Sequence, residues 1–491
     1  MKPRLAYDDK AWEIGTIVYK RWCIYIQEDD DAFNAIGAFL ATHYYPREWC
    51  EFDIFGIGGF NVCFRIMFTD NTTAIIRFPF PGIIMFPEEK VRNEVGAMQF
   101  ILNETQKPQR IPIPMPSISR WGQKKESPAN LGPFIIMDYV EHKESICRLL
   151  ENPGSDLSVR PVLNLDLNMV RLKDLYRKLA KVVLSLSTLT LSKIGSIGLD
   201  PENSSTWKVV NRPLSYSMNE VVQLGTLPRS KIPTSTYNKA SSYFDALAEL
   251  QLSHLISQRN DAVDSEDDCR RKFVARLLFR RLIREQKLRE KWLLHETGPF
   301  PTWCDDFRPE NVLVDEAETI VGVVDWEFTY SAPVEFSHAP PWWLLIEKPE
   351  YWPRGLGDWC TEYNKRLETF LEAMSDCEDE AIHNGRLMVN QRLSGPMRNS
   401  WKSGDFWIMY AARNNFAFDL IYWQKIDQRF FGSTQTFDPD NAWKERLHLL
   451  TSEEKKYIDE CVKLKCEEMD TRPLAWDPDE YTREYECEWA E

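Results

Sequence analysis

The chain has 491 residues, 43% hydrophobic and 27% charged, which suits a folded protein long enough for at least two cores. Lys and Arg number 60 against 75 Asp and Glu, a net charge of −15, so the overall field repels phosphate backbones and argues against nucleic-acid binding. No apolar run reaches the ~18 residues that span a bilayer, the start Met1-Lys2-Pro3-Arg4 lacks an apolar secretory core, and the 11 cysteines include no Cys-x-x-Cys pair. The expectation is a cytoplasmic protein with reduced thiols and no membrane association.

In chain order, residues 1–50 read as a helical extension, broken at Glu28-Asp29-Asp30-Asp31. Residues 51–141 read as a β-rich lobe. Within it, 52–55 and 62–68 are short β-type runs flanking Gly56-Ile57-Gly58-Gly59-Phe60-Asn61, and 73–78 is a third strand ended by the Pro/Gly break at 79–82. The spacing predicts a helix over 88–102, with Val91, Val95, Met98 and Leu102 on one face. Four prolines (Pro108, Pro112, Pro114, Pro116) then lead to a strand at 134–140.

Residues 142–469 read as a helical lobe, with helices expected at 172–191, 236–258, 268–295, 351–391, 405–424 and 443–469 and a loop-rich insert at 200–236. The basic run 270–291 could form a membrane-surface or partner-binding helix, but its interleaved Phe273, Val274, Leu277, Leu278, Leu282 and Ile283 favour a packed one. Residues 470–491 form an acidic tail. The fold class is α+β: a small β-rich lobe followed by a larger α-helical lobe.

Most of the chemistry lies in one island, Trp303-Cys304-Asp305-Asp306-Phe307-Arg308-Pro309-Glu310-Asn311-Val312-Leu313-Val314-Asp315, followed by Ile320-Val321-Gly322-Val323-Val324-Asp325-Trp326-Glu327. The β-branched runs 312–314 and 320–324 predict a hairpin. Antiparallel pairing places Asn311, before the first strand, close to Asp325, after the second. An amide oxygen and a carboxylate at one open end are hard ligands of the kind Mg²⁺ takes alongside substrate phosphates. Asp306, five residues before Asn311, faces the same space, where a carboxylate can orient a hydroxyl and accept its proton. In the β-rich lobe, Gly56, Gly58 and Gly59 allow close backbone approach to phosphates. Gly-Lys-Ser/Thr is absent, so this is not a Walker loop.

With these residues in place, the chain resembles the protein-kinase-like phosphotransferases, and more closely the aminoglycoside phosphotransferase family, in particular its fungal branch. The likeness covers about residues 51–391, and its motifs are specific for the fold and not for the substrate. It implies a bilobal protein-kinase-like fold with ATP or GTP in the cleft, Mg²⁺, and transfer of a γ-phosphoryl group to a small-molecule hydroxyl. By the resemblance Asp306 is the catalytic aspartate and Asn311 and Asp325 the metal ligands. Arg308 falls where protein kinases keep a phosphate-touching Lys. Arg77 takes the place of the Lys that pairs with nucleotide phosphates, with Glu94 as its partner. Met137 lines the adenine pocket, and the backbones of Asp138 and Val140 bind the base.

Two departures mark the catalytic loop. Cys304 stands where bacterial members keep a His, and Asp305 where Gly is usual. Two alternatives to transfer to a small molecule stand beside it, the first supported by Cys304 and by Arg77 in place of Lys. One is a nucleotide-binding pseudokinase acting as an interaction module. The other is a protein kinase, which the resemblance disfavours: Ala332-Pro333-Val334-Glu335 follows Asp325 by only seven residues, leaving no room for the segment that docks protein substrates. Pro340-Pro341-Trp342-Trp343-Leu344-Leu345 resembles a segment packed below the active site.

Overall fold

The computed structural model describes residues 10–44, 48–152, 160–258, 262–436, 441–469 and 483; nearly all of the acidic tail lies outside them. Two helices come first, α1 (Lys10–Glu28) and α2 (Asp30–Tyr44), the break between them falling in the acidic run. There follow β1 (Trp49–Ile57), β2 (Asn61–Phe68), β3 (Thr73–Pro79), α3 (Pro87–Thr105), β4 (Ile118–Gly122) and β5 (Phe134–Asp138). The strands form one antiparallel sheet in the order β1-β2-β3-β5-β4.

Side-chain alternation sorts this sheet into two faces. Phe64, Ile66 and Phe68 of β2, Ile76 and Phe78 of β3, and Phe134 and Ile136 of β5 share one core with Trp22 and Ile26 of α1 and Ile36 and Leu40 of α2. Ile135 and Met137 point the other way and join the core that includes Val91, Val95 and Met98 of α3. Residues 10–44 therefore cover the outer face of the sheet. With both faces covered, β2, β3 and β5 read as nearly continuous apolar runs. The strand expected to reach residue 140 ends at Asp138, and β4 was not expected at all, because prolines precede it and its outward Arg120 dilutes the pattern.

The helical lobe begins with β6 (Glu144–Ser145), α4 (Ile146–Leu150) and α5 (Met169–Ser187), then β7 (Thr190–Leu191), β8 (Ser196–Asp200), β9 (Asn203–Asn211) and α6 (Tyr216–Gln223). This corrects two expectations. The helix expected to reach residue 191 stops at Ser187. The loop-rich insert holds most of a β8–β9 hairpin and a helix whose N-cap Ser215 accepts from the Met218 N–H. The hairpin packs on α3, where a Cβ on Gly96 would lie 2.3 Å from the Ile197 carbonyl oxygen; glycine is what lets strand and helix approach.

Next come α7 (Ala240–Ser257), α8 (Glu266–Arg284), α9 (Gln286–Arg289), β10 (Phe300–Cys304), β11 (Val312–Val314), β12 (Ile320–Val323), β13 (Thr329–Ser331), α10 (Val334–His338), α11 (Gly355–His383), α12 (Ser394–Ser403) and α13 (Asp405–Arg413). The helices expected at 268–295, 351–391 and 405–424 are thus shorter or broken. The helix Ser452–Glu468 packs on α8. The basic α8 is a packed helix: Arg276 is buried and makes a two-point ion pair with Asp419 at 2.7 and 3.0 Å.

Beside that pair, His254 of α7 is fully buried, and neither ring nitrogen has a hydrogen-bond partner. Burial pushes its pKa down to about 3, Arg276 and Lys465 add to this, and Asp419 opposes it. The unfolded chain takes a proton on this ring near pH 6.5 that the folded one refuses, so stability falls as pH drops below 6.5. His254 alone contributes a loss of about 2 kcal/mol at pH 5. Urea titrations at pH 7 and pH 5 should show a smaller acid loss in His254→Leu; equal losses in the two proteins would contradict the assignment.

Candidate active site

The hairpin forms as the sequence predicts. Val312 pairs with Val323 and Leu313 with Gly322, and the Val324 N–H donates to the Asn311 carbonyl at 2.9 Å. Asn311 and Asp325 therefore flank one open end. Val312 and Val314 are buried, so half-buried Leu313 points to the opposite face. Across from Leu313, a Cβ on Gly322 would sit 2.8 Å from Val140 Cγ1, so the segment after β5 lies directly on the hairpin. Asp325 has φ +56°, a left-handed conformation uncommon outside glycine and costly enough to need support from its surroundings.

The two adjacent carboxylates of the catalytic-type loop part company. Asp305 turns into the helical lobe, where it accepts from Trp303 Nε1 at 2.7 Å, from the Tyr330 hydroxyl at 3.3 Å and from the Tyr216 N–H at 3.3 Å, with Arg413 3.4 Å away. Asp306 keeps a side chain 14% exposed, whose nearest cation is Arg308 Nε at 3.7 Å. Its main-chain carbonyl accepts from Asn311 Nδ2 at 2.8 Å, a clasp that fixes the loop and leaves the Asn311 amide oxygen as the free hard donor. Burial pushes the Asp306 pKa up to about 7; Arg308 opposes the shift, and Glu327 and Asp325 add to it. Cys304 is buried beneath the loop, and its thiol donates to the Glu327 carbonyl at 3.6 Å. Arg308 is 43% exposed and also lies 3.2 Å from Glu310.

Above this loop stands a buried ionic cluster. Arg77, on the cleft side of β3, pairs with Glu94 of α3 and, at 2.5 Å, with Asp325. The sequence reading expected the first contact and not the second. It also missed Lys90, whose ammonium lies 2.5 Å from Glu327, 2.9 Å from Asn61 Oδ1 and 3.4 Å from Glu94. Asn61 Nδ2 donates to Glu327 at 3.0 Å. The signal that could have found Lys90 is its i,i+4 spacing to Glu94 on a predicted helix. Burial would raise the Glu327 pKa, but Lys90 and Arg77, with hydrogen bonds from Lys90 and Asn61, hold it below the ordinary value.

The remaining expected residues frame the cleft. Gly56, Gly58 and Gly59 lie in the β1–β2 hairpin, closed by the Gly58 N–H on the Asn61 carbonyl at 2.9 Å. A Cβ on Gly56 or Gly59 would meet nothing within 4 Å, so packing within the chain does not require glycine there. Phe60, at the tip, meets Tyr216 and Phe328 edge to face, with centroids 5.5 and 6.0 Å away. Met137 is buried on the cleft side of β5 and pairs with Ile75. The Asp138 N–H donates to the Ser117 carbonyl at 3.1 Å, its carboxylate accepts from the Tyr44 hydroxyl at 2.6 Å, and the Val140 carbonyl pairs with His142 Nδ1 at 2.7 Å.

The donor set at the hairpin end suits Mg²⁺. Among the described residues no cluster of three His, Cys, Asp or Glu forms a metal site. Mg²⁺ held with a nucleotide, however, needs only one or two protein oxygens and completes its shell with phosphates and water. The Asn311 amide oxygen and the Asp325 carboxylate supply that number.

No protein-family model matches the chain, and no curated protein matches it. Among solved structures it is similar to an aminoglycoside phosphotransferase in ternary complex with AMP-PNP and hygromycin B, at 12% identity and a TM-score of 0.36, over 81% of this chain and 100% of that one. An ethanolamine kinase of Plasmodium vivax aligns at 13% identity and a TM-score of 0.38, over 81% of each chain. A macrolide 2′-phosphotransferase of Brachybacterium faecium aligns at 11% identity and a TM-score of 0.35, over 82% of this chain and all of the other. By its own architecture, an antiparallel five-stranded sheet with one inner helix set over a helical lobe that carries the Asp306–Asn311 loop and its hairpin, the fold is protein-kinase-like.

Proposed function

We propose that the protein transfers the γ-phosphoryl group of ATP or GTP to a hydroxyl of a small molecule. The observation that carries this reading is the convergence of Asp306, Asn311 and Asp325 around one hairpin end, with Arg77 and Glu94 directly above. In this reading Asp306 orients the acceptor hydroxyl and takes its proton. The hydroxyl oxygen forms a bond to the γ-phosphorus, and the bond from that phosphorus to the β–γ bridging oxygen breaks, leaving the nucleoside diphosphate. A carboxylate with its pKa near 7 is well matched to accept a proton at neutral pH. Asn311 and Asp325 would hold Mg²⁺, which when bound neutralises charge on the phosphates. Arg77 and Arg308 balance charge on the phosphoryl oxygens, and Gly56, Gly58 and Gly59 leave room for phosphates beneath the hairpin tip. Met137 and the backbone at Asp138 and Val140 would seat the base. Catalysis is then positioning and electrostatics, with kcat of order ~1–100 s⁻¹ on the true acceptor.

The second reading, a nucleotide-binding interaction module, has one observation in its favour: the Arg77 guanidinium already holds Asp325. A thermal-shift titration of ATP and GTP, each with and without Mg²⁺, tests the proposal. A ligand at 100 times its Kd stabilises by about 2.7 kcal/mol. The expected result is a shift that needs Mg²⁺ and disappears in Asp325→Ala. An equal shift in Asp325→Ala would sink the metal assignment. Mg²⁺-dependent binding with neither transfer nor slow hydrolysis would favour the interaction module.

A further inference from the structure

Beside the catalytic-type loop a cavity of about 230 Å³ opens between Arg308-Pro309-Glu310, α6 and the segment 342–351. Its walls carry four aromatic side chains, Tyr216, Trp342, Trp343 and Tyr351, and three cations, Arg160, Arg308 and Lys348, against three carboxylates, Glu220, Glu310 and Glu347. Two of the cations have acids: Arg308 lies 3.2 Å from Glu310, and Arg160 lies 3.6 Å from Glu347 while stacking 3.9 Å from the Tyr351 ring centre. Lys348 differs. Its ammonium stands 5.3 Å from the Tyr216 ring centre and 5.5 Å from that of Trp342, and among the described residues no carboxylate approaches it within 4 Å.

Burial disfavours the Lys348 charge, but Tyr216, Glu350 and Glu220 more than offset this, so its pKa lies above the ordinary lysine value and it stays an ammonium. Glu350, the nearer in sequence, accepts from the Tyr410 hydroxyl at 2.6 Å. The cavity therefore offers a half-buried cation clamped between two rings and an apolar surface for a flat body. Arg308, on its wall, stands 3.7 Å from Asp306, the carboxylate to which the proposed function gives the hydroxyl.

Resting on that proposed function, we infer that the acceptor is a hydroxyl compound carrying a carboxylate. The carboxylate pairs with Lys348 between Tyr216 and Trp342, and the hydroxyl faces Asp306. A cationic acceptor would meet the Lys348 ammonium between the two rings, since Arg160 and Arg308 are already compensated by Glu347 and Glu310, and like charges in an enclosed pocket repel.

Calorimetric titration of the full chain without nucleotide tests this with three probes of one shape: 4-(hydroxymethyl)benzoate, 4-(hydroxymethyl)benzamide and 4-(aminomethyl)benzyl alcohol. The benzoate should bind at least about tenfold more tightly than the amide, as a charge-assisted hydrogen bond allows, and the amine least. Lys348→Gln should erase the preference and Lys348→Arg keep it. Equal binding of benzoate and amide, tightest binding of the amine, no binding of the benzoate, or a preference that survives Lys348→Gln would each overturn the inference. The probe comparison on the unmodified chain stands whether or not the variants fold. A Mg²⁺–nucleotide shift without a carboxylate preference would overturn the acceptor class alone. A carboxylate preference without any nucleotide shift would overturn the transfer reading instead.

Discussion

Asp306→Asn is expected to lose phosphoryl transfer by about 10²–10⁴-fold, the range that general-base catalysis supplies, while keeping the Mg²⁺-dependent nucleotide shift. The argument is the separation of two neighbouring carboxylates. Among the described residues none donates a hydrogen bond to the Asp306 side chain, Arg308 Nε standing 3.7 Å away, and the clasp from Asn311 is made by its main chain. An asparagine of the same shape therefore leaves the loop and its ligands in place and removes only the proton acceptor. Asp305→Asn should behave in the opposite way. That carboxylate gathers Trp303, Tyr330, the Tyr216 N–H and Arg413. Replacing it leaves donors and a guanidinium short of an acceptor, at a cost of about 1–3 kcal/mol in stability, with transfer retained in the protein that remains folded. Steady-state release of nucleoside diphosphate and thermal midpoints on the two variants separate these outcomes. Transfer lost in Asp305→Asn and kept in Asp306→Asn would reverse the assignment.

The sequence made the hairpin legible because its signals are local. β-branched runs on either side of a turn fix the register, and the register brings Asn311 and Asp325 to one end. Arg77 and Glu94 were reached through the resemblance, and the direct contact of Arg77 with Asp325 was not. It spans 248 residues of chain, and no spacing rule carries information that far. Lys90, Asn61 and Glu327 were passed over for a related reason: each looks like an ordinary surface-type residue until the two lobes close on them. The role of residues 10–44 was likewise hidden, because an amphipathic helix shows that it has a buried face but not what covers it. The helix ends fared worst. Past α11 the apolar pattern runs on through Leu387, Met388 and Val389, of which only Leu387 is buried, and past α13 it runs through a partly buried stretch into further helical turns, so periodicity gives no stop signal.

Lys90→Met is expected to cost about 3–5 kcal/mol, the penalty for removing one partner of a buried ion pair, lowering the thermal midpoint by about 3–5 °C in a chain of this length. The cluster holds two cations, Arg77 and Lys90, against three carboxylates, Glu94, Asp325 and Glu327. Lys90 and Glu94 are almost wholly inaccessible, with side chains 1% and 0% exposed, and Glu327 follows at 3%. Methionine keeps most of the volume and removes the charge, so Glu327 would retain Asn61 and lose the one cation that pairs with it among the described residues, while Glu94 would share Arg77 with Asp325. Because Glu327 lies two residues beyond Asp325, the same ammonium ties the β-rich lobe to the segment that carries the proposed metal ligand. Its loss should loosen the lobes as well as the core. Lys90→Met/Glu327→Gln tests the coupling, since neutralising the abandoned carboxylate should restore part of the loss, with a coupling energy of about 0.5–3 kcal/mol. A surface ion pair would show little loss and strong screening by salt; here the loss should persist at high ionic strength. Purely additive single and double variants, or a loss that added salt abolishes, would contradict a buried bridge between the lobes.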